Sequence, residues 1–188
     1  MDVTLRPLLS VLALTAIATI VATLLPSAKE LVPLALLLDS VPFAGSVAAT
    51  VVAATRLRRL PLPTTRLLIA VYGYFAGALM GALGVAHLMA IVVGAIDSGR
   101  QHEFVYSFRF YSLVQLGVLL VASGLIAANQ AVRLARGQRG ARRASLWIWT
   151  AILAITLPLV PLQGFAVLFT VMAALELLLL GIPRLAEP

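Results

Sequence analysis

The sequence predicts an all-α fold: a polytopic helical bundle of about six transmembrane helices, forming one membrane domain over residues 1–188. Three observations carry this. Hydrophobic residues make up 62% of the chain and charged residues 11%, where a soluble domain has about 25%; mean hydropathy is +1.06. Several apolar runs of about eighteen residues or more hold no charge, which is enough helix to cross a bilayer core. The basic residues gather between alternate runs, leaving no room for a separate soluble domain.

The first span covers 7–25, after Arg6 and before Pro26 and Ser27. Its apolar run exceeds the roughly 7–15 residues of a signal-peptide core, and Pro26 makes a poor cleavage site, so retention is expected. The second covers 31–55 as one helix kinked at Pro42. The alternative starts a shorter helix at Asp39 or Ser40, with Pro42 in its first turn; that helix would fall short of the ~20 residues a crossing needs. The third and fourth, 67–96 and 105–135, form the central hairpin. Aromatic residues, among them Phe104, Tyr106 and Tyr111, mark the start of the fourth at headgroup level. The last apolar region is too long for one helix, and Pro158, Pro161 and Gly164 divide it into 145–160 and 162–181. Trp147 and Trp149 begin the fifth span at an interface.

Orientation follows from charge. The net charge is +7, from fourteen basic and seven acidic residues. Both termini in the cytoplasm place Arg6, Arg56, Arg58, Arg59, Arg66, Arg133, Arg136, Arg139, Arg142, Arg143 and Arg184 inside. Only Lys29, Arg100 and Arg109 remain outside. The cluster from Arg133 to Arg143 is also a candidate contact for anionic lipid headgroups. No aromatic platform accompanies these arginines, so nucleic acid is not an expected partner. The absence of cysteine excludes disulfides and thiolate metal sites.

In the third span Gly73, Gly77, Gly81 and Gly84 share one helix face, a glycine-zipper pattern that lets a second backbone come close. Gly117 and Gly124 form a smaller version in the fourth. Polar groups inside a bilayer are costly and are functional candidates by default. Here they are Asp39, His87 and Gln115, at similar depth in the outer half, and Glu176 near the inner end of the last span. An aspartate beside an imidazole favours its charged form, so Asp39 and His87 suggest a proton-handling pair or a polar site. An interhelical bond that fixes packing accounts for them equally well. Glu176 is expected to find a partner in the fourth span or to reach the interface.

No metal site and no catalytic residues are expected. Ser123-Gly124 lacks the flanking glycine of an intramembrane serine protease, and no glycine loop stands beside a lysine. A haem would need His87 with His102, Met80, Met89 or Met172, and nothing favours these pairs. The chain therefore reads first as a non-catalytic subunit of a larger membrane complex of respiratory or photosynthetic type, in the bacterial cytoplasmic (inner) membrane. Its partners are then the lipid bilayer and other membrane subunits. The alternatives are a small transporter or channel using Asp39, His87 and Gln115, and a quinone- or haem-binding redox protein.

Overall fold

The computed structural model describes residues 5–25, 31–60, 63–97, 108–160 and 164–181. These form six α-helices, and no strand occurs among them. They are α1 (Leu5–Leu24), α2 (Val32–Leu57), α3 (Thr64–Asp97), α4 (Phe108–Ala135), α5 (Ala141–Thr156) and α6 (Gly164–Gly181). A single 3-10 turn, Leu157–Leu159, extends α5. The first four are long and apolar enough to cross a membrane. The last two are shorter, at 16 and 18 residues.

Helix α3 is the hub. Its most extensive interface is with α4, and it also packs against α1, α2 and α6; α5 pairs with α6 and rests on α4. Its two flanks close two parts of the core. Ile69, Leu79 and Met80 join Trp149 and Phe169 on one side. Tyr74, Ala78 and Ala82 join Leu8, Val11 and Ala49 on the other.

Helix α2 runs unbroken from Val32 to Leu57 with Pro42 inside it. Proline has no N–H, so the ladder leaves the Leu38 carbonyl without its usual amide. Further along the helix the buried hydroxyls are satisfied by their own backbone: Ser46 Oγ donates to the Pro42 carbonyl at 2.6 Å, and Thr50 Oγ1 to the Ser46 carbonyl at 2.7 Å.

Between α4 and α5 the chain reverses in five residues. Gly137 and Gly140 carry positive φ of 65° and 76°, a region that side chains disfavour. Gly137 N–H donates to the Leu134 carbonyl and Gln138 N–H to the Arg133 carbonyl, which closes α4 with a Schellman motif. Helix α5 consequently begins at Ala141, four residues before the expected start. This moves Arg142 and Arg143 from the expected loop into a helical first turn. Arg66 likewise lies in the first turn of α3 rather than in a loop, and is buried. Trp149 is a correction too: the expected interfacial residue is 1% exposed in the core, while Trp147 stays 68% exposed. At 1.5 Å per residue Trp149 lies about 12 Å into α5.

Candidate functional site

Of the arginines in the described helix ends and turns, all but Arg109, in the first turn of α4, sit at one end of the bundle, called here the arginine end, where α1 and α3 begin and α2, α4 and α6 finish. The candidate polar residues divide between this end and the opposite half.

In the opposite half lies a cavity of about 350 Å³. Thr19 of α1, Leu38, Asp39 and Pro42 of α2, and His87 of α3 line it, with Phe169 of α6 among the apolar walls. Asp39 is seven residues from the start of α2, about 10 Å along the axis. Its side chain is exposed at the cavity wall. His87 is half-buried, and its Nε2 lies 3.1 Å from the Leu113 carbonyl oxygen of α4. Gly117 permits this crossing: a Cβ there would meet the Leu88 side chain at 2.6 Å and His87 Cδ2 at 3.2 Å. The imidazole thus lies over a helix surface stripped of its side chain, and one ring nitrogen is anchored to the backbone.

The structure therefore brings Asp39 and His87 onto one cavity. Gln115 is not part of it: it is exposed on α4 and does not line the cavity, so the expected three-residue polar set reduces to two. Thr19 and Leu38 join instead. Thr19 belongs to a series with Thr15 and Thr23 at four-residue spacing on one face of the first span, a polar stripe that was legible in the sequence. Met80, Met89 and Met172 do not line the cavity, so they offer His87 no second axial ligand there. His102 lies outside the described residues, as do the 26–28 cleavage region, Phe104 and Tyr106.

The glycine face is packed inside the chain. A Cβ on Gly77 would stand 2.6 Å from the Ala128 nitrogen and 2.7 Å from the Gly124 carbonyl oxygen; one on Gly84 would stand 2.8 Å from Leu120 Cβ and from the Val121 nitrogen. Gly124 returns the contact with the backbones of Gly77 and Gly81, and Gly81 also faces Leu12 of α1.

Glu176 takes neither course expected of it. It is 1% exposed, so it does not reach an interface. Its Oε1 occupies the space that a Cβ on Gly73 would fill, at 2.6 Å, and its Oε2 has no hydrogen-bond partner among the described residues. One turn earlier, Tyr72 Oη donates to the Met172 carbonyl at 3.2 Å. The missing side chain of Gly73, not a partner in α4, accommodates the carboxyl group.

Two of the five arginines expected to meet lipid are held within the protein. Arg142 donates through Nε and Nη2 to the Leu180 carbonyl at 3.2 and 3.0 Å, satisfying a carbonyl in the last turn of α6. Arg133 Nε donates to Gln138 Oε1 at 2.8 Å across the turn. Arg136, Arg139 and Arg143 are exposed. Among the described residues no group of three histidine or acidic side chains could hold a metal ion. Comparison with known proteins returns no match: no family model fits the sequence, and no curated protein or solved structure is detectably similar.

Proposed function

We propose that this chain is a six-span protein of the bacterial cytoplasmic membrane, with both termini inside, that binds and moves a small organic cation through the Asp39–His87 cavity. The cavity carries the reading. Its size is within the ~300–1,000 Å³ of small-molecule sites, and a few polar groups converge in an apolar wall. The one formally charged group among them is the Asp39 carboxylate, an acceptor when ionised, with the Thr19 hydroxyl on the same wall. Among the described residues no lysine or arginine lines it. A cation entering would gain the carboxylate and lose little else, since the walls are otherwise apolar. The arginine end faces the cytoplasm by the positive-inside bias, which opens the cavity toward the outer leaflet.

The test is thermal unfolding in mild detergent with tetramethylammonium and larger quaternary ammonium ions. A ligand that binds only the folded state raises the midpoint, by about 2.7 kcal/mol of stability at a hundred times its Kd. Asp39→Asn should abolish the rise and leave the ligand-free midpoint unchanged. No rise with any of the cations would sink the proposal. Orientation is checked separately: a Gln138→Cys variant has the chain's sole thiol, and an impermeant reagent should label it only after the cells are opened.

The second reading is a non-catalytic subunit of a larger membrane complex. The broad apolar faces of α1 and α2 favour it, where Leu14, Ile17, Leu36 and Leu37 are all exposed. Lipid covers such faces equally well. Stoichiometric co-purification of other membrane proteins would favour the subunit.

A further inference from the structure

A second concavity lies nearer the arginine end, between α1 and α4. Helices α1 and α4 both pack on α3, but hardly on each other. The furrow left between them has a volume of about 470 Å³. Leu8 and Leu9 form one wall; Leu125, Ile126, Asn129 and Gln130 form the other. Its chemistry is graded along the axis. Toward mid-membrane it is wholly aliphatic. One turn nearer the arginine end come two carboxamides, and one turn beyond them comes Arg133, on the same face of α4 as Asn129. Arg6 lies in the first turn of α1, next to Leu5 in sequence. Gln130 is 8% exposed and lines the furrow, and its Oε1 has no hydrogen-bond partner among the described residues. Arg133 is held in position through its Nε by Gln138.

Hydrocarbon, then carboxamide, then cation is the order of a phospholipid read from its tails outward: acyl chains, glycerol esters, phosphate. A buried carboxamide without a partner is expensive, and in a bilayer no water is at hand to satisfy it. The Gln130 amide carries a donor and an acceptor; its Oε1 is enclosed as it stands, and a half-turn of the amide brings it to the furrow. Ester carbonyls take the donor. The acceptor needs a headgroup or glycerol hydroxyl, and Arg6 and Arg133 favour a net negative charge. We infer that the furrow between α1 and α4 is a specific site for one anionic, hydroxyl-bearing phospholipid of the phosphatidylglycerol type, drawn from the leaflet at the arginine end.

The experiment is native mass spectrometry of delipidated protein titrated with phosphatidylglycerol or with phosphatidylcholine of matched chains. One phosphatidylglycerol should bind ahead of the others and survive collisional activation that strips phosphatidylcholine. Gln130→Leu should weaken that first binding about fivefold, the loss of one buried hydrogen bond. Ile126→Trp provides a second variant: Ile126 is 49% exposed, so the larger ring fills the furrow without entering the core and should remove the tight lipid while the protein stays folded. Equal binding of the two lipids would overturn the inference, as would retention of the tight lipid by both variants. A dimer that disappears with Ile126→Trp would give the furrow to a second copy of the chain instead.

Discussion

Helix α3 meets α4 and α2 in opposite ways. Against α4 it places glycine upon glycine, so that a single added carbon at Gly77 or Gly84 would lie within 3 Å of a main-chain atom. A turn further on, against α2, it presents Leu83, Ala86, His87 and Ala90 to a cavity. The first surface is built from small residues throughout; the second sets Ala86 and Ala90 between Leu83 and His87. The partner decides the outcome: α4 answers with Gly124 and Ala128, whereas α2 answers with Asp39 and Pro42, whose ring and charge do not nest on a helix. Small residues produce contact where both helices have them, and open space where one does not.

The largest effect is expected at the seam. Gly77→Leu must push α3 and α4 apart along their whole contact, because the obstacles are the Ala128 nitrogen and the Gly124 carbonyl rather than a movable side chain. Little folded protein should survive gentle heating and size-exclusion chromatography. Leu79→Ala, which only empties a core position, should do better despite a typical cost of about 2–5 kcal/mol. A Gly77→Leu variant as heat-resistant as the parent would show that the backbones are not in contact.

An intermediate effect is expected where the seam meets a carboxyl group. Gly73→Ala should destabilise the parent by about 1 kcal/mol, because the new methyl displaces the flexible end of Glu176. With Glu176→Ala as background the same change should be nearly neutral. Additive losses in this double-mutant cycle would mean that the two residues do not share the space.

The smallest effect sharpens the contrast most. Ala86→Leu, two positions beyond Gly84, adds three carbons to the cavity side and should alter the stability by no more than about 0.5 kcal/mol. Gly84→Leu should be severe, because Leu120 Cβ and the Val121 nitrogen leave it no room. Equal damage from the two would erase the distinction between seam and cavity.

The helices were legible because their causes are local: apolar runs of membrane length, bounded by arginines and prolines. The glycine face was legible for the same reason, since periodicity places Gly73, Gly77, Gly81 and Gly84 together on any helix. Asp39 and His87 could be set at one depth by arithmetic on either side of a short loop. Rotation about each helix axis was not legible. It sends Gln115 outward and Trp149 inward, and it depends on which neighbours each helix acquires. Arg142 shows the limit most plainly. Nothing near it in sequence announces that Leu180 will end beside it, and so a residue read as meeting lipid instead satisfies a helix end.

The six helices are unequal in a way that reaches beyond the protein. At 1.5 Å per residue α3 is about 51 Å long, whereas α5 and α6 are about 24 and 27 Å. A hydrocarbon layer of ~30 Å is overreached on one flank and underfilled on the other. Such mismatch is relieved by tilting long helices and by local thinning of the bilayer beside short ones. In the six-span arrangement proposed above, the bilayer would be thinnest beside the α5–α6 pair. Neighbours with short spans would gather on that thin side through the elasticity of the lipid alone.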